Sequence, residues 1–157
     1  MRDDAWLFLK LDEVWDGHFS DVPQLNDVKI VWGRKARNRL GSIKQGERRL
    51  GSPVETIITI NSLFKDEEIP EFIVTATIAH ELAHYAHGFH SPLAKKYDHP
   101  HAGGAVNKEL AKRGLEESMR EQKKWLKTYW KDYVNEHLPR KQGVKRKVRR
   151  KLIIKWI

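Results

Sequence analysis

The stretch 71–87 constrains this chain most. Phe72, Ile73, Ala76, Ala79, Leu82, Ala83 and Ala86 recur at three- and four-residue intervals and give it the wide apolar face of a buried helix. Pro70 suits the first turn of such a helix, and Gly88 is placed to end it. A helix this apolar is stable only if the rest of the chain packs around it. Yet it carries His80-Glu81-Leu82-Ala83-His84 in its second half. Residues four apart share a helix face about 5.4 Å apart, so two imidazoles can reach one metal ion. Glu81 projects beside the pair rather than from it, which suits a base acting on water next to the metal.

The flanking segments supply elements to cover the helix. Trp6, Leu7, Leu9, Leu11, Val14 and Trp15 predict an amphipathic helix over 3–15, capped by Asp3 or Asp4 and stopped at Gly17. Two β-branched runs, 28–32 and 55–61, read as strands, with 40–45 as a weaker one between them, all joined by short links. Beyond the loop 89–104, a short helix is expected over 105–113 with Gly114 as its stop. A longer one follows over 115–137, burying Met119, Leu126, Tyr129, Trp130 and Tyr133. The fold class expected is α+β: a small three-stranded antiparallel or mixed sheet packed on the His-bearing helix, with further helices around it.

With 39% hydrophobic and 32% charged residues in 157, the chain has the composition of one soluble globular domain. It contains no cysteine, which excludes disulfides, thiol chemistry and thiolate metal sites, so any metal must rest on histidines and carboxylates. The formal charge of +9 is unevenly placed. Arg140, Lys141, Lys145, Arg146, Lys147, Arg149, Arg150, Lys151 and Lys155 stand in 138–157 without an acid, leaving 21 basic residues against 21 acidic ones in 1–137. The division expected is therefore a neutral body, 1–137, and a basic C-terminal tail, 138–157. Such a tail is a candidate for salt-sensitive, sequence-independent contact with nucleic acid. No apolar run has the length of a membrane span and no signal-peptide pattern opens the sequence, so the expected compartment is the cytoplasm.

Six of the eight histidines lie between positions 80 and 101. A catalytic zinc generally keeps three protein ligands, so a third must join His80 and His84. Four residues are candidates. His90 follows His84 by six, but glycine stands at 88 rather than 87, and a one-residue slip turns the exit by about 100°. Glu109 lies on the next helix. His99 and His101 stand in Asp98-His99-Pro100-His101-Ala102-Gly103-Gly104. His101 is favoured, because a histidine just before Gly-Gly at a helix start is held near the backbone and can swing back over the first helix. His87 or the unused histidine can line the cleft, and Asp98 can orient a ligand imidazole. Tyr85, Tyr97 and His99 are candidates to stabilise an oxyanion, though none has a motif spacing.

The order of these features resembles the SprT-like zinc metallopeptidase domain: a Trp-bearing strand (Val28–Trp32), Gly41-Ser42, an Ile-rich strand ending in Asn61, the helix with His80-Glu81-Leu82-Ala83-His84, then a histidine before glycines at a helix start. The similarity spans about positions 25 to 115. It implies a compact zincin-type α+β fold, a third His ligand after a loop, here His101, and in some members proteolysis of proteins held on DNA. The expected activity is zinc-dependent peptide hydrolysis, with Zn2+ on His80, His84 and His101, Glu81 as general base and a polypeptide as substrate. The alternative is a nucleic-acid-associated metal-binding module without turnover.

Overall fold

The computed structural model describes residues 1–139 and residue 154. The predicted tail therefore lies, apart from residues 138, 139 and 154, outside the described residues. Helix α1 (Asp4–His18) opens the fold, with Asp3 as its cap: the carboxylate accepts the Trp6 backbone N–H at 2.8 Å. Leu7, Leu11 and Val14 face the core, while Leu9 points to solvent. The helix runs through Gly17 rather than stopping there, and ends where Phe19 turns wholly inward. A glycine inside a helix costs only about 1 kcal/mol, less than burying a Phe contributes.

Strands β1 (Val28–Trp32), β2 (Gly41–Gln45) and β3 (Thr56–Ile60) form one mixed sheet in the order β1-β3-β2, with β1 parallel and β2 antiparallel to β3. The alternation of β3 explains its central place. Thr56, Ile58 and Ile60 are buried, and Ile57 and Thr59 are half-buried on the other face. Register aligns Ile30, Ile58 and Ile43 in one row and Trp32, Ile60 and Gly41 in the next. Asn61 then braces the segment leading into β2. Its amide donates to the Ala36 and Arg39 carbonyls at 2.7 and 2.9 Å, and its oxygen accepts the Leu63 N–H at 3.0 Å.

Helix α2 (Glu71–Ala86) is the axis of the molecule, touching α1, β2, β3 and the two helices that follow. Every residue from Ile73 to Ala86 except Thr75 is buried, so the wide apolar face read from the sequence has become burial nearly all round. After a loop come the short turn Ala102–Gly104, α3 (Ala105–Lys112) and α4 (Glu116–Trp125). A π-helical segment, Leu126–Trp130, runs on into α5 (Lys131–His137). The wider π turns shift the apolar face. Trp130 and Tyr133 are buried as expected, together with Val134, whereas Tyr129, also expected inside, is 56% exposed. Gln122 ties α4 to α2 by donating to Ile73 O at 3.1 Å and Thr77 Oγ1 at 3.0 Å. No helix among the described residues is long and apolar enough to cross a membrane.

Candidate metal centre

The end of α2 is fixed by its backbone. The Phe89 N–H returns to His84 O and the Gly88 N–H to Tyr85 O, both at 3.0 Å, with Gly88 at φ +81°. That is the paired-bond termination a left-handed residue makes after a helix, and it locks the turn carrying His84. The loop beyond is pinned to the sheet: Thr56 Oγ1 donates to His90 O at 2.6 Å, and Ser91 Oγ donates to Tyr85 O at 2.8 Å. Asn26 Nδ2 donates to Thr56 Oγ1 at 2.8 Å, while the Tyr85 hydroxyl donates to Asn26 Oδ1 at 2.6 Å. Gly103 and Gly104, at φ +56° and +68°, then turn the chain into α3 directly after His101. A side chain in either left-handed position would cost about 1–2 kcal/mol.

These devices bring His101 back over α2. The His80, His84 and His101 rings lie 4.9, 5.7 and 4.8 Å apart between centroids (80–84, 80–101 and 84–101), and one ring nitrogen from each falls within 4.8 Å of the others. His80 and His84 are buried and His101 is exposed, so the first two are fixed and the third has room to adjust. Burial holds the His80 imidazole well below its ordinary pKa, with His84 and His101 adding to the effect. The same cause, with His101, His87 and His90 contributing, lowers His84 to about 4. Both rings are neutral at neutral pH, the state in which imidazole binds metal.

Glu81 is fully buried, and burial pushes its carboxyl well above the usual range against a weaker pull from Arg39. It faces β2 across a glycine. A Cβ on Gly41 would fall 3.2 Å from Glu81 Oε1 and 2.8 Å from Thr77 Cγ2. Among the described residues, neither oxygen of Glu81 and neither ring nitrogen of His84 has a hydrogen-bond partner. Buried polar atoms are normally paired, so this orphaned set fits a metal site better than a structural role. The three histidines could hold one metal ion.

The other candidates lie outside this three-histidine group. His90 is exposed, with a left-handed backbone at φ +57°. His99 and Asp98 are exposed. Glu109 is occupied by Arg113, at 3.0 Å, which also holds Asp21 at 2.6 Å. Burial pulls the Glu109 carboxyl upward, but the Arg113 pairing outweighs it and keeps the carboxyl below the ordinary range. His87 lies behind the site, 3.8 Å from that carboxylate and against the Tyr97 ring. Tyr85 is buried with its hydroxyl committed to Asn26, so it is not free to meet an oxyanion. Sequence reasoning missed Asn26 and Thr56, which position the loop. Their only signal was a polar residue at the edge of a strand. We find no match to this chain among protein-family models, curated proteins or solved structures.

Proposed function

We propose that the chain is a zinc-dependent metallopeptidase of the SprT-like kind, with His80, His84 and His101 as zinc ligands and Glu81 as general base. The observation that carries this reading is the convergence of three histidines beside a buried carboxyl with no hydrogen-bond partner among the described residues. A zinc ion there would supply Lewis acidity, polarising a peptide carbonyl and acidifying a water. Glu81 takes the proton from the attacking water and returns it to the leaving amine nitrogen. Burial raises its pKa, the direction that makes a carboxylate a stronger base. Gly41 leaves open the space in which the carboxyl sits. The basic residues of 140–155 support a wider reading, in which substrates are proteins associated with nucleic acid.

The test combines metal analysis with turnover. Wild type should bind about one zinc per chain, as one three-ligand site requires, and should cleave a denatured protein. Glu81→Ala should keep the zinc and lose cleavage; His101→Ala should lose both. A wild type that binds zinc and cleaves nothing, with or without DNA, would leave a metal-binding module without turnover and end the peptidase reading.

A further inference from the structure

A groove of about 1180 Å3 runs from the His80 and His101 rings along α3, α4 and the π segment. Val106, Leu110, Met119 and Leu126 supply apolar lining. Such a groove beside a reactive centre is built to take side chains, and one already lines it: Ile154. It is half-buried and packs against the hydrophobic core, although fifteen positions separate it from Pro139. Fifteen residues extend up to about 50 Å, ample to return across a body whose expected radius of gyration is about 15 Å.

Charge shows what holds it there. Lys108, Arg120, Lys123, Lys127 and Lys131 also line the groove, against Glu116 as its acid. In sequence Ile154 stands between Lys151 and Lys155. A basic lining offers an isoleucine no charge attraction, so the apolar contact is the source of the docking. A contact made by one half-buried aliphatic side chain is displaceable, as an intramolecular competitor must be.

We propose that this groove is a subsite for an aliphatic side chain of a bound polypeptide, and that Ile154 of the chain's own C-terminal segment occupies it in competition with that ligand. The competition with substrate rests on the peptidase reading; the occupancy does not.

The chain contains two methionines, Met1 and Met119, the first 90% exposed and the second in the groove. The full chain, metal-free in EDTA and labelled with 13C at methionine methyls, therefore has one reporter of the groove and one internal reference. Ile154→Asn, which removes the apolar side chain without adding a charge that the basic lining would attract, should move the Met119 signal and leave Met1 in place, whereas Ile154→Leu should match wild type. Titrating a synthetic peptide of residues 151–157 into Ile154→Asn should return the Met119 signal toward its wild-type position. That peptide should bind the variant at least about threefold more tightly than wild type, whose tethered side chain competes at an effective concentration near millimolar. An unmoved Met119 signal in Ile154→Asn, or equal peptide affinity for the two chains, overturns the proposal. No step of this test involves cleavage, so a chain that hydrolyses nothing leaves its result intact.

Discussion

Replacing Gly88 by Ala tests how the helix exit builds the site. At φ +81° the backbone is left-handed, which costs a non-glycine residue about 1–2 kcal/mol. The new Cβ would also fall 2.5 Å from Ala94 O, 2.6 Å from Ala94 C and 2.7 Å from Leu93 O. All three are backbone atoms, so no rotamer change relieves the overlap, and overpacking of this kind adds about 1–3 kcal/mol. Together the two effects predict a loss of about 2–5 kcal/mol. With a urea slope near 2 kcal/mol/M, the unfolding midpoint of the metal-free chain should fall by about 1–2.5 M. Gly51→Ala is the control: the same φ of +81° with nothing within 4 Å of the added carbon, hence only the first part of the cost. The segment that the added methyl would push leads on to His101, so zinc binding followed by calorimetry should weaken in the same variant. A midpoint shift in Gly88→Ala no larger than in Gly51→Ala would refute the reasoning, since the close approach to residues 93 and 94 would then carry no weight.

Gly41→Ala should cost about 1–3 kcal/mol, because its Cβ meets the Thr77 methyl at 2.8 Å and Glu81 Oε1 at 3.2 Å; zinc content should persist while any hydrolytic rate falls, measured on the same preparation. Gly17→Ala acts oppositely: the position is exposed in α1 with nothing within 4 Å of an added Cβ, so thermal unfolding should show a gain of about 0.5–1 kcal/mol. Asp66 is held below the usual carboxylate range by the Glu68 N–H and the Tyr133 hydroxyl. A depressed carboxylate stabilises the fold above its unfolded pKa and loses that contribution as pH falls toward its folded one. Tyr133→Phe should therefore raise the Asp66 midpoint in an NMR titration and soften the acid sensitivity of folding; an unchanged midpoint would show the hydroxyl to be irrelevant.

The elements legible in the sequence were those whose signal is local. β1 falls on the expected residues, 28–32, because its alternation and β-branching need no partner to read. α2 was readable from its stripe and from Pro70 and Gly88, whose effects are confined to one turn. The pair His80 and His84 follows from helix geometry alone, whereas adding His101 required the loop to return. That return depends on Gly103 and Gly104 in left-handed conformations and on Thr56 holding His90 O, contacts between positions far apart in the chain. The mixed pairing of the sheet, left open between antiparallel and mixed, is likewise a long-range matter: β3 pairs in parallel with β1 and antiparallel with β2, strands that no local pattern within it identifies. The exposure of Tyr129 escaped because no residue type marks a π turn.

Helix α2 is both the centre of the core and the floor of the site, and those roles conflict. A fully buried Glu81 and His84 without hydrogen-bond partners among the described residues cost about 1–3 kcal/mol each, set against a typical stability of about 5–15 kcal/mol. The chain limits that cost by neutralisation, since burial moves the carboxyl pKa up and the imidazole pKa down, toward uncharged forms. Neutral imidazoles are also what a metal requires, so the desolvation that destabilises the helix leaves these histidines in the state that could hold one. The apolar packing of Ile73, Val74, Ile78, Leu82 and Ala83 around the same helix supplies the opposing stability. The strong apolar face at 71–87 and the polar motif within it are therefore linked: only a helix anchored this firmly on its remaining faces could keep His84 and Glu81 buried.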